Sequence, residues 1–127
     1  MNMMINIVSV ACGGAVGAIV RYLITLLPLK SAFPFSTLIA NLVGAFIIGF
    51  LSSVLLSKNI SLFLKTGLCG GLTAFSTFSM EHIMLFQEGK IVIAFLYISV
   101  SLFCCFLGVC IGMWVGKYVE AIGPLPS

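Results

Sequence analysis

Charge is what this sequence has least of. Only 7% of its 127 residues are charged, against 61% hydrophobic. A chain of that balance is neither disordered nor an ordinary water-soluble domain. Its six basic and three acidic residues leave a net charge of +3, and the basic ones are dispersed. Nothing here is a nucleic-acid footprint or a polybasic lipid-binding tail. Histidine occurs once, as His82, without a second ligand one helical turn away. The five cysteines (Cys12, Cys69, Cys104, Cys105 and Cys110) make no C-x-x-C pair and all lie in apolar segments. Small packing residues are a simpler reading of them than metal or disulfide chemistry. The absence of a nucleophile–base pair or a metal set argues against an enzyme. The first residues, Met1-Asn2-Met3-Met4, lack a basic n-region, and the apolar run behind them is too long for a secretory h-region, so no cleavage is expected. No internal repeat is visible.

What is present is four apolar runs, at about residues 4–27, 35–56, 61–86 and 91–116. Each has roughly 22–26 residues, and ~20 suffice to cross the hydrocarbon core. The breaks between them are short: Pro28-Leu29-Lys30-Ser31, Ser57-Lys58-Asn59 and Gln87-Glu88-Gly89-Lys90. Such connections predict a single all-α membrane domain of four antiparallel spans, with a frayed tail over Ala121–Ser127. Gly13 and Gly17, Gly67 and Gly71, and Gly108, Gly112 and Gly116 are spaced by four, so backbones can approach closely in lipid, within a chain or between chains.

The third run holds the candidate site. Over Gly67–Ser79 it carries paired glycines, five hydroxyls or thiols, and two phenylalanines three apart. Each glycine weakens a helix by about 1 kcal/mol relative to alanine. A broken helix at membrane depth is tolerated only where it lines a cavity or is buried in protein. The break is expected at Gly70–Thr73, close to the bilayer midplane, with Thr73 as N-cap of the helix that restarts. Amide ends of that helix suit an anion, and carbonyls left by the preceding half suit a cation.

Other polar residues fall inside the spans. Phe75 and Phe78 share a face, and ring edges are electropositive. Alone, such a pair reads as lipid-facing or core; the adjacent Ser76, Thr77 and Ser79 favour a lined pathway. Asn41 is either an interhelical hydrogen bond or an N–H donor to a permeating anion, with Thr37 one turn before it. Tyr97 and Ser101 lie one turn apart and Cys105 continues that face, as a polar track or as hydroxyl packing. Arg21 is about 9 Å from the end of the first span, within snorkelling reach of the interface, as an anchor or an attractor of anions. Glu81, about 12 Å from Thr73 along the helix, either pairs with a cation or lines an entrance.

Lys58, Lys65 and Lys117 fall on one side of the four spans, and Arg21, Lys30 and Lys90 on the other. That balance leaves the positive-inside rule nothing to act on, so insertion in both orientations and an antiparallel dimer are expected.

The run Gly70-Gly71-Leu72-Thr73-Ala74-Phe75-Ser76-Thr77-Phe78-Ser79 resembles the signature of the CrcB or Fluc family of fluoride channels. Gly13-Gly14-Ala15-Val16-Gly17-Ala18-Ile19-Val20-Arg21-Tyr22 and Thr37-Leu38-Ile39-Ala40-Asn41-Leu42-Val43-Gly44 match as well, so the likeness spans essentially the whole chain. The resemblance implies a dual-topology antiparallel homodimer in the plasma membrane (the bacterial inner membrane), with two pores for passive efflux of cytoplasmic fluoride. It also implies a central sodium ion, structural and not transported, held by the backbone carbonyls of Gly70 and Thr73 from both chains. By the same likeness, Phe75 and Phe78 line the pores, Asn41 is the pore-facing amide, Tyr97 and Ser101 form the polar track, and Arg21 and Glu81 match the family's arginine and glutamate. Ala74 departs from the pattern, where relatives often carry a second threonine. Two rival readings are a small multidrug-type exporter and a non-transporting membrane scaffold. The first needs a carboxylate in the first span, which is missing; the second leaves the hydroxyl-rich break unexplained.

Overall fold

A computed structural model describes residues 2–29 and 33–123. Within them the chain is helical and has no strand. The elements are α1 (Asn2–Thr25), α2 (Phe35–Ser52), α3 (Lys58–Ser61), a π-helical stretch (Leu62–Cys69), α4 (Gly70–Leu72), α5 (Phe75–Gln87) and α6 (Ile91–Ile122). From α3 through α4 the backbone runs as one rod, and α5 resumes after Thr73 and Ala74. Three described helices, α1, α2 and α6, are long and apolar enough to cross a membrane. The fourth rod, residues 58–87, reaches span length only by adding its pieces together.

Element ends differ from the sequence expectation at several points. Helix α2 stops at Ser52, not near Leu56. Ser52 donates its hydroxyl to the Ile48 carbonyl (2.7 Å), and such side-chain bonds compete with continued helix. Val54 then turns inward (6% exposed) and pins the connection. Helix α6 runs past Gly116 to Ile122, so Ala121 belongs to the helix and not to a frayed tail. Lys117 and Glu120 mark a change of solvent, which does not end a helix; Gly123 does. Residues 124–127 lie outside the described residues, as do Lys30 and Ser31 of the first connection.

The helices pack in two pairs. Helix α1 lies along the π-helical stretch and α4, and α2 lies along α6. Glycine makes both contacts possible. A Cβ at Gly17 would strike the Leu68 carbonyl and come within 2.8 Å of the Leu72 nitrogen. One at Gly67 would sit 2.8 Å from the Gly13 Cα. In the other pair, a Cβ at Gly112 would strike the Phe46 carbonyl and reach 2.9 Å from the Phe50 nitrogen. The glycine spacing therefore serves contacts within the chain. In lipid, association rests on this close packing, because tails compete equally for apolar side chains.

The α5–α6 connection is a closed turn. Gly89, at φ 78°, is the described residue with positive φ. Its N–H donates to the Phe86 carbonyl (3.1 Å), and the Lys90 N–H to that of Leu85 (2.9 Å). This is the paired bonding of a Schellman C-cap. It folds α6 back on α5, where Phe78, Leu85, Ala94 and Tyr97 form a buried cluster.

Helix α6 has 32 residues, a rise of about 48 Å against a hydrocarbon core of about 30 Å. Its excess is marked by Trp114 and Tyr118, stacked at 6.5 Å and exposed, the pairing that belongs at a membrane interface.

Gly17→Leu or Gly112→Leu is expected to lower the thermal stability of the detergent-solubilised protein by about 1–3 kcal/mol or more. At Gly70 a Cβ would meet nothing within 4 Å inside the chain, so glycine there is not required by packing within the chain. Trp114 is the only tryptophan, so quenching by lipids brominated at known depths reads its position directly. Strongest quenching is expected from labels nearest the headgroups, and strongest quenching at the bilayer centre would refute the interfacial placement.

Candidate functional site

The break is shorter than the glycines suggest. Gly70–Leu72 is helical, and only Thr73 (φ −80°, ψ 153°) and Ala74 (φ −143°, ψ 77°) leave the helix. Thr73 is not the N-cap of α5. Ala74 occupies that position without a side-chain cap. Thr73 turns backward, donating both its N–H (3.1 Å) and its hydroxyl (3.0 Å) to the Cys69 carbonyl. It thus closes the half-helix that ends instead of opening the one that begins.

The cap comes from another helix. The Ala74 N–H donates to Oδ1 of Asn41 on α2, at 2.8 Å. This bond has two consequences. The Asn41 amide nitrogen, with its two donors, is left for other partners. The Gly70 carbonyl also loses its intrahelical donor, because the Ala74 N–H four residues ahead is the group that would have reached it. The first bond of the restarted helix joins the Phe78 N–H to the Ala74 carbonyl (3.1 Å), so the Thr73 carbonyl stands ahead of the new ladder. Gly70 and Thr73 therefore both present backbone oxygens at the break.

These groups line a groove of about 460 Å³ between α2, the broken rod and α6. Asn41, Gly70, Thr73, Phe75, Phe78 and Ser101 all border it. Phe75 stands 76% exposed at its mouth, whereas Phe78 is buried. The two rings are 5.7 Å apart. Ser101 is 5% exposed, yet its hydroxyl has no hydrogen-bond partner. Cys105 continues that wall.

Behind Phe78 stands Tyr97, fully buried, with ring centroids 4.9 Å apart. Its phenol donates to Oε1 of Glu81 (3.0 Å). Of the two roles open to Glu81, the observed partner is thus a phenol; among the described residues its ion pair with a cation is not found. A second cavity, about 240 Å³, lies between α1, α2 and the break. It gathers Arg21, Thr25, Ser36, Thr37 and Thr77, a guanidinium with four hydroxyls.

The sequence-named residues therefore fall into the groove, the second cavity and the Tyr97–Glu81 pair behind Phe78. Two belong to none of these. Ser79 bonds back to the Phe75 carbonyl (3.0 Å), and Ser76 is exposed. Sequence reasoning missed Lys65 and Cys69 in the main groove and Ser36 in the cavity. Lys65 carried a signal, as a cation within an apolar run. Cys69 and Ser36 carried none, because their positions depend on how the rods pack.

The comparisons with known proteins agree with this geometry in one direction. The family described as CrcB-like protein, Camphor Resistance (CrcB), matches residues 8–113. A protein of Ruminiclostridium cellulolyticum named fluoride-specific ion channel FluC is 45% identical over 96% of this chain and all of its own length. Proteins of the same name from Clostridium novyi (43% identical, 94% of this chain and 99% of that one) and Shewanella halifaxensis (43%, 84% and 92%) are similar. With the match running through all the helices that build the groove, the chain belongs to the CrcB family, whose relatives are named as ion channels and not enzymes.

Proposed function

We propose that this protein is a passive fluoride channel of the bacterial cell membrane, exporting cytoplasmic fluoride down its electrochemical gradient. The carrying observation is the bond from Ala74 to Asn41. It holds a helix break open at membrane depth and leaves an amide donor facing the groove. Fluoride must shed tightly held water to pass, and selectivity requires that polar donors in a narrow path replace it. Asn41, the edges of Phe75 and Phe78, and the unpartnered Ser101 hydroxyl are donors of that kind along one wall. Tyr97, held by Glu81, backs them. The cavity of Arg21, Thr37 and Thr77 is the natural place for an anion to gather, since a guanidinium beside hydroxyls attracts negative charge. Ser76 and Ser79 border neither cavity and take no part in this lining.

The functional unit is an antiparallel dual-topology homodimer. One chain alone leaves the groove open, with Phe75 exposed at its mouth, the Gly70 backbone uncovered, and a buried hydroxyl unsatisfied. A second copy turned end for end would cover all three. It would also bring the carbonyls of Gly70 and Thr73 from both chains together as four oxygens, a hard donor set that fits sodium. The free Gly70 carbonyl supports that fit. A sodium ion there contributes structural cross-linking between chains and is not itself transported.

Two measurements test the reading. Liposomes containing the purified protein, with valinomycin carrying potassium as counter-ion, are expected to release fluoride rapidly and to retain chloride. A folded dimer that releases neither ion, or both equally, would overturn it. Asn41→Asp keeps an oxygen for the Ala74 N–H, so the protein is expected to elute as wild type. Its flux should nevertheless fall at least about a hundredfold, because like charges ~4 Å apart repel by about 4 kcal/mol at an effective dielectric of ~20. Unchanged flux would remove Asn41 from the pathway.

A further inference from the structure

The single histidine is not accounted for by any part of this reading. His82 follows Phe75 and Phe78 at i+7 and i+4, so it continues their helix face. The ring centroids step from Phe75 to Phe78 by 5.7 Å, from Phe78 to His82 by 5.8 Å, and from His82 to Phe86 by 5.3 Å. These four rings form an unbroken ladder along α5. It climbs about 16 Å from the break to the end of the helix, half the thickness of the hydrocarbon core. Tyr97 on α6 flanks the middle of the ladder, 4.9 Å from Phe78 and 6.0 Å from His82. Phe33 stands against the edge of Tyr97.

Only one rung of the ladder carries nitrogen. The imidazole is partly exposed as a residue, yet its Nδ1 is buried and without a hydrogen-bond partner. A buried polar atom left unpaired costs about 1–3 kcal/mol. The neighbouring charged group, Glu81, is engaged by the Tyr97 phenol. The Glu88–Lys90 pair closes on itself at 3.0 Å. Among the described residues no group serves Nδ1, which leaves this nitrogen available to a ligand.

We propose that His82 is a fluoride-contacting residue, donating from Nδ1 to the ion after it leaves Phe78 and before it reaches the rim at Phe86. The inference rests on the fluoride-channel reading. Its chemical logic is that ring edges are weak donors, so an ion crossing four successive rings would lose too much hydration. One N–H in mid-ladder divides that interval in two.

The test is fluoride efflux from liposomes carrying full-length wild type, His82→Phe, His82→Asn or His82→Gln. Phenylalanine keeps the aromatic packing and removes the nitrogen. Asparagine places an amide nitrogen near the position of Nδ1, and glutamine places it near Nε2. His82→Phe is expected to slow efflux by about tenfold or more, the scale of a lost hydrogen bond to a charged partner. His82→Asn is expected to recover most of the rate, and His82→Gln little of it. Wild-type flux in His82→Phe, or equal flux in the Asn and Gln variants, would overturn the inference alone. If His82→Phe does not fold, the Asn-to-Gln difference decides by itself. A folded wild type that releases no fluoride would overturn the channel reading, and this inference with it.

Discussion

A backbone crossing lipid must pair every N–H and C=O within the protein, because the hydrocarbon core holds no water to pair them. Most of this chain obeys by being helical. Thr73 and Ala74 do not, and the rest of the structure is arranged around how their groups are satisfied. The Ala74 N–H is taken by Asn41 from α2, and Thr73 is tied back to Cys69. Capping from a neighbouring helix frees the Gly70 carbonyl, so the same bond that stabilises the break also creates its unpaired oxygen. An orphaned carbonyl on the rod and the uncommitted amide nitrogen of Asn41 on α2 thus border the same groove.

That arrangement requires α2 to be held close to the rod, and small residues do this. Gly44 lies against Thr73 and Leu72. The second glycine set presses α2 onto α6, and the first presses α1 onto the π-helical stretch and α4. A π-helix is rare and recurs at functional sites; here only α4 separates it from the break. The two tight pairs leave a groove between them instead of a filled core. Its walls are mostly apolar, with polar groups placed singly, which is how ligand paths are commonly built. The buried cluster of Phe78, Leu85, Ala94 and Tyr97 fixes the other end of α5, so the aromatic face has one orientation.

Much of this was legible in the residues themselves. Four apolar runs separated by short polar breaks state an all-helical membrane chain, because only length and hydropathy decide what crosses lipid. Paired glycines beside hydroxyls announced an interruption near Thr73, and the motif in that stretch carried the family. The ends of α2 and α6 were misjudged for a physical reason. Hydropathy reports where lipid stops, and a helix stops where its backbone bonds do, at the serines after Leu51 and at Gly123. Reading Thr73 as an N-cap failed because its hydroxyl had a closer acceptor behind it, the Cys69 carbonyl.

The sequence by itself determined the class, the number of rods, the approximate position of the break along the chain and the family, since each depends on composition or local spacing. Tertiary structure decided what no spacing can state. It gave Asn41 an interhelical hydrogen bond, its oxygen accepting from the Ala74 N–H. It gave Glu81 a phenol in place of a cation, and separated Arg21 and Thr77 from the groove of Phe75 and Phe78. It also placed His82 as the nitrogen-bearing rung of a ladder. Such pairings join residues 16 to 33 positions apart, and they exist only because glycine lets particular helices approach; the packing of rods, not the order of residues along them, chooses the partners.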